Sequence, residues 1–395
     1  MTTPQTVLPP NAHLPPRQVE YAQPKMRRTR SLLEVDRGLS WLAWGSACVV
    51  IAMLLALVLF LAVAAWPSVK RFGPGFLVTN QWRANALPVL KRRPNGKFIR
   101  DPITGMKVVD HYLPPVFGAV APIAGTATTA ALALIVSVPL SLGASLFLVR
   151  IAPQMLVGPV SFLIEFLAAI PSIAYGLWGM FVLSVWLGGP ARWSHPLGGP
   201  FAGIGWPVGI ESHLFNLIGH WRIFHWLFYA QVEGRDVLVP LTGRDVFCGG
   251  LILGIMVIPI ITAISRDILR NVPLAQIEGT IALGATWWQS AKEMLKYSRS
   301  GLFGAIMLGL ARAAGETMAV LMVMGSTAQV AVSPFLPGTT LAATVAGKFP
   351  ESSDDPIHRG VLMELALILL VMSLIFNVAA RYLVVGGASR TSAAH

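Results

Sequence analysis

Long charge-free apolar runs, separated by polar and basic connections, set the pattern of this chain. The first run, residues 41–66, contains no Asp, Glu, Lys or Arg. As a helix it is long enough to cross about 30 Å of hydrocarbon. Trp41, Trp44 and Trp66 stand near its ends, where indole rings suit the membrane–water interface. Five further runs follow, at residues 120–149, 156–187, 246–265, 301–326 and 361–383. The second and third runs are longer than a bilayer needs and carry Pro122, Pro139 and Pro171. Proline removes a backbone donor and crowds the preceding turn, so kinks or breaks are expected there. The predicted fold is an all-α membrane protein, a polytopic bundle of about six transmembrane helices with both termini on one side.

Composition strengthens that reading. Charged residues make up 12% of the 395 positions and AVILMFWYC residues 54%, with mean hydropathy +0.64. A soluble protein carries about a quarter charged residues, and little chain is left for a soluble catalytic domain. The net charge of +12 is concentrated in tails and loops. With this hydropathy it fits anionic lipid or an anionic solute rather than nucleic acid. Cys48 and Cys248 lie in separate apolar runs and imply neither a disulfide framework nor a metal site.

Residues 1–38, with the basic run Lys25 to Arg30, read as a poorly ordered cytoplasmic tail. The first run exceeds the apolar core of a signal peptide, about 7–15 residues, and is expected to be retained. Arg150 and the basic 266–300 connection also favour an inside N-terminus. The 67–118 connection argues the other way through Lys91, Arg92, Arg93, Lys97 and Arg100. Its length is near the limit at which the positive-inside rule weakens, so it is assigned to the outside. It is then either a solvated basic face or one that steers an anionic solute or an acidic partner by long-range attraction. Residues 188–245 form a second long loop, aromatic-rich, in which 214–229 suit an interfacial helix. His213, His220 and His225 lie there without Cys or carboxylate partners at ligand spacing, and residues 386–395 form a short tail.

The most informative connection runs from Asn271 through Pro273, Glu278, Gly279, Thr280, Ala282, Leu283, Gly284, Ala285 and Thr286 to Gln289. Pro273 suits the first turn of a helix and Gly284 a sharp turn after it. The prediction is a short helix, a turn and a second helix between two spans, either a docking element or an ordinary amphipathic connector. Glu278-Gly279-Thr280, three residues, then Gly284 resembles the coupling loop of ABC importer permeases, whose pattern is Glu-Ala-Ala, three residues, Gly. Three further strings narrow the resemblance: Ala168 to Gly179, Arg312 to Val320 and Phe335 to Ala342. Together they resemble the C-type (PstC-like) phosphate-specific transport permeases over about residues 116–385. Gly279 and Thr280 replace two alanines, and Leu295 is followed by Lys296-Tyr297 where the family has Leu-Pro.

That resemblance implies a type I importer permease whose coupling helix docks on a separate ATPase subunit dimer. It also implies a second, A-type permease, an extracytoplasmic phosphate-binding protein and a location in the cell inner membrane. No catalytic residue, metal or cofactor is expected in this chain. Gly347-Lys348 is followed by Phe349 and lacks the glycine spacing of a phosphate loop.

Arg312 lies about 16 Å past Gly301 along a helix, near mid-bilayer. A charge there costs at least about 2.5–3.5 kcal/mol and normally faces a cavity or a partner. Glu316 falls one turn on, so the two read as a structural ion pair, as an anion path, or as both if phosphate displaces Glu316. Thr317 and Ser172 are candidate hydroxyl ligands or helix-packing hydroxyls. Glu364 is expected to reach water near a span end, whereas Glu165 lies deeper with no evident partner. Ala305, Gly309 and Ala313 form a stripe of small residues suited to close helix approach, within the chain or between chains.

Overall fold

The computed structural model describes residues 30–84, 87–90, 109–188, 225–232, 235–238, 242–327, 329–331, 333–352 and 355–392, with isolated positions at 210, 214 and 217. Two compact units divide the chain, Met1–Leu57 and Val58–His395, and their boundary falls within helix α1 (Arg30–Phe72). In the first unit, the side chains of 39–57 are exposed around the whole helix, as expected of a lipid-facing span. Helix α1 begins inside the expected tail and runs through Pro67, so both predicted bounds, 41 and 66, are too narrow. Expectations for residues 1–29 lie outside the described residues.

The second unit is built on α3 (Val120–Arg150) and α7 (Val246–Arg270). Gly249 lies against Thr129, Gly254 against Ala133, and Ser141 Oγ donates to the Ile258 carbonyl at 3.1 Å. Leu146 and Leu269 share a cluster, so the two helices run parallel. In lipid no hydrophobic force separates helix from helix, and association depends on close packing by small residues. On α3 the stripe Thr126, Ala130, Ala133, Ser137, Ser141, Ser145 is buried, and this spacing supplies the close face. Pro122 falls in the first turn and Pro139 inside α3 without ending the helix.

Between them in sequence lie α4 (Gln154–Ala169) and α5 (Ser172–Gly188), bent by 89° at Ile170–Pro171. The break expected at Pro171 is present, and a π-helical turn at Gly179–Leu183 interrupts α5. Two short antiparallel ribbons sit in the long loops. Strand β1 (Leu87–Leu90) pairs with β2 (Val109–Leu113), and β3 (Tyr229–Val232) pairs with β4 (Arg235–Leu238). Just before β3, His225–Phe228 forms helix α6. The rest of the 214–229 expectation lies mostly outside the described residues, except that Tyr229 is extended. The ends of the first loop fold onto the bundle through the rings of Phe72, Trp82, Phe117 and His358. A short helix α2 (Gly75–Val78) buries Phe76 in that same cluster.

After α7 come α8 (Leu274–Ala282) and α9 (Trp287–Tyr297), then α10 (Arg299–Gly315) and α11 (Met318–Val323). The expected span 301–326 is therefore two pieces. Its break falls at Glu316–Thr317, where the Glu316 backbone is extended just after the poor helix former Gly315. Helix α10 runs antiparallel to α7, with Gly301 on Ile268 and Gly309 against Ile261 and Val257. Ala305 and Ala313 are buried with Gly309, so the Ala305, Gly309, Ala313 stripe serves packing within the chain.

The turn after α11 leads to α12 (Leu341–Lys348), capped by Thr340, and to α13 (Pro356–Ser392). Helix α13 starts before the predicted bound and continues into the expected tail as far as Ser392. Its Glu364 does not reach water. Ser68 of α1 covers it and donates a 2.5 Å hydrogen bond, leaving Glu364 8% exposed. Among the described residues, four helices are long and apolar enough to cross a membrane, or five if α4 and α5 count as one span. The all-α membrane class holds; the expected run 301–326, broken into α10 and α11, is not among these candidate spans.

Candidate coupling surface and anion path

The 271–297 connection folds as its residues predict. Pro273, with an extended backbone, is the N-cap of α8, and α8 ends on the left-handed turn of Gly284, φ +81°. Thr286 caps α9 through a capping box with Gln289, each side chain bonding the other's backbone N–H. The pair is anchored from inside by Ile277, Ala291 and Met294, which join Leu146, Leu269, Val272 and Leu302 in one cluster. Burying Met294 to 2% exposure contributes about 2 kcal/mol. Thr280 Oγ1 reaches Ser290 Oγ at 3.2 Å and ties the two helices.

The outer face is different. Leu274, Ile281, Leu283, Trp287 and Trp288 are all exposed, with Leu283 at 90%. Glu278, Gly279, Ala282 and Gly284 are exposed too, whereas Thr280 and Ala285 are half-buried. Five large apolar side chains are exposed on this helix pair, which is held from behind, and a contiguous apolar patch of this kind is characteristic of interaction sites. The Gly279 departure is sterically neutral, because a Cβ built there meets nothing within 4 Å. Gly279→Ala is expected to leave coupling unchanged. Gly284→Ala forces a side chain into left-handed backbone, costs about 1 kcal/mol locally and misaligns α9. Thermal unfolding and ATPase co-purification of the two variants check the contrast.

Farther along the bundle the two helix breaks meet. Gly176 of α5 packs on Ala319 and Met322 of α11, bringing the break at 170–171 beside that at 316–317. The Tyr175 hydroxyl spans its own break by donating to the Leu167 carbonyl at 2.9 Å. Ser172 sits half-buried in the first turn of α5.

The expected Arg312–Glu316 pair is absent: no carboxylate of the described residues lies within 4.0 Å of the Arg312 guanidinium. The i, i+4 argument fails because the helix ends at Gly315 between them. Glu316 turns instead toward α11 and accepts from the Ala319 N–H at 3.5 Å. Thr317 is the N-cap residue of α11 rather than a member of the Arg312 helix, and its hydroxyl donates to the Gly315 carbonyl. Arg312 is exposed on the face of α10, while Glu316 and Thr317 are half-buried. An apolar cavity of about 420 Å³ flanks this break, lined by Gly315, Thr317, Val345, Phe349 and Leu369 among others.

Three polar groups were not singled out by sequence reasoning. Arg244 immediately precedes Asp245, the N-cap of α7, and its guanidinium donates to the Met322 carbonyl at 3.0 Å, closing the end of α11. Tyr175 is the second. Arg266 is the third, and it supplies the partner that Glu165 lacked, at 3.2 Å. Lys348 of the Gly-Lys pair bonds Glu351 at the end of α12, as an ordinary surface lysine. Among the described residues no group of three or more metal-ligating side chains occurs.

Membrane-crossing helices, a rigid apolar-faced helix pair at one end and two broken helices meeting inside the bundle define a polytopic membrane permease. A phosphate transport system permease protein PstC of Haemophilus influenzae is 35% identical over 339 residues, 86% of this chain and 89% of that protein. The PstC of Pasteurella multocida is 35% identical over 339 residues, and that of Mesorhizobium japonicum 32% over 351. The chain belongs to the PstC family of phosphate transport system permeases. No family model matches it. Among solved structures, an inward-facing MetNI methionine ABC transporter is similar at a TM-score of 0.42 and 15% identity, covering 68% of this chain and 94% of that one.

Proposed function

We propose that this chain is the membrane-spanning permease subunit of an ATP-driven inorganic phosphate importer, working by alternating access. The observation that carries the coupling is the exposed apolar face of α8 and α9, fixed from behind by Ile277, Ala291 and Met294. Such a face needs a partner, and an ATPase subunit dimer is the partner that converts its own closure into movement of the bundle. ATP hydrolysis then lies on separate chains. An A-type permease covers the other side of the anion path, an extracytoplasmic binding protein delivers phosphate, and both termini lie in the cytoplasm. Membrane lipid surrounds the bundle, in the cell inner membrane.

Within the path, Arg312 is the anion ligand, since its guanidinium offers a planar donor fork to phosphate oxygens and is engaged by no carboxylate of the described residues. Ser172 and Thr317 stand at the two adjoining breaks as hydroxyl partners, with Glu316 beside them. The test is uptake of labelled phosphate by vesicles containing this chain with its neighbouring subunits, with sulfate and molybdate as competitors. Uptake that requires ATP and resists both competitors is the expected outcome. ATP-independent uptake would remove the coupling, and displacement by another oxyanion would reassign the substrate.

A further inference from the structure

Helix α4 is weakly held within this chain. None of its side chains is fully buried, and it supplies no residue to the cluster that anchors the coupling helices. A helix with little buried surface moves at low cost. Among the described residues its one polar link to α7 is the ion pair of Glu165 with Arg266 at 3.2 Å. The exposures are unequal: the Arg266 side chain is 9% exposed and that of Glu165 59%.

Arg266 occupies the end of α7 that leads into the coupling helices, beside Ile268 and Leu269 of the anchoring cluster. Glu165 lies about one turn before the elbow at Ile170–Pro171. At the elbow Ile170 packs on the core that contains Ala313 and Val320, and beyond it Gly176 meets Ala319. Apolar packing carries movement of α8 and α9 into α3, α7 and α10; α4 lies along α7 by a half-buried face, and the ion pair is the polar link between the two.

A second carboxylate completes the arrangement. Arg266 Nε donates to Asp267 Oδ1 at 2.9 Å, on the same helix. A buried guanidinium stripped of its only partner is strongly unfavourable. With Asp267 in place, the bond to Glu165 can break and re-form without stranding the charge. The geometry points to the Glu165–Arg266 pair as a releasable joint that transmits movement of the coupling helices through α4 to the elbow bearing Ser172. Glu165 and Arg266 are then positioning residues for the anion path. The inference rests on the reading of 271–297 as the ATPase-coupling loop.

The experiment compares Glu165→Gln, Arg266→Gln and the double variant in the complete transporter, reconstituted in vesicles. Phosphate taken up and ATP hydrolysed are measured together. Arg266→Gln removes the buried charge that Glu165→Gln leaves behind, so a folding defect in one single variant does not decide the outcome. Each single variant is expected to hydrolyse ATP at near the parental rate while phosphate moved per ATP falls about tenfold. The double variant should be no worse than either single one, because the two side chains act as a unit. Glu165→Asp, which keeps the charge on a shorter arm, should recover part of the ratio. Unchanged ratios, or losses that multiply in the double variant, would overturn the joint. Uptake and hydrolysis falling in step would overturn it as well. Parental uptake that needs no ATP would remove the coupling reading and this inference with it, whereas ATP-dependent parental uptake with unaltered ratios removes the inference alone.

Discussion

Replacing Arg312 with alanine is expected to lower phosphate uptake about a hundredfold while the assembled complex stays intact. The magnitude follows from the loss of charge-assisted, two-pronged hydrogen bonds to an oxyanion, on the order of 3 kcal/mol. Intactness follows from the surroundings. Arg312 is exposed in the isolated chain and bonds no carboxylate of the described residues, so its removal strands no buried charge. Arg312→Lys should fall between, keeping the charge but losing the planar fork. Labelled-phosphate uptake, normalised to complex recovered by affinity purification, measures both parts. Unchanged uptake in an intact complex would remove Arg312 from the path.

The second large effect is expected at Leu283. This side chain is 90% exposed at the tip of the coupling pair, beside the Gly284 turn. Leu283→Asp adds a charge where a docked partner must exclude water. Central apolar anchors of an interface are worth about 2–4 kcal/mol, so affinity for the ATPase subunits should fall roughly 30- to 1,000-fold. Because Leu283 contributes nothing to the anchoring cluster, the chain itself should fold and insert normally. Co-purification of the ATPase subunits with this chain gives the direct readout. Retention of the complex at parental levels would mean that the docking face lies elsewhere.

Much of this was legible in the sequence because two strong local signals dominate it. Apolar run length marks the helices, and Pro171 and Gly284 mark an elbow and a turn that the backbone adopts. The Thr286 to Gln289 capping box is legible in the same way, from residue type and spacing alone. What was not legible depended on tertiary geometry. The pairing of Arg312 with Glu316 assumed continuous helix, but Ala-Gly-Glu-Thr ends one there. Local propensity is only a weak prior within a long apolar run, and nothing in the spacing marks the break. Glu364 looked water-accessible because Ser68, which covers it, is 296 positions away in sequence. The Arg266 partner of Glu165, at a separation of 101, was hidden for the same reason. The small-residue stripe on α3 was visible as a period of three or four, and would have identified the face that meets α7.

That seam also restricts how the permease can move. Ser141 of α3 bonds the Ile258 carbonyl of α7, and Gly249 and Gly254 are seated against α3 residues like teeth in a rack. Sliding one helix along the other would require each tooth to climb out of its notch at once. The two helices must therefore turn as a single beam, and any rearrangement of the bundle falls to the helices outside that seam, α4 first among them, since none of its side chains is fully buried.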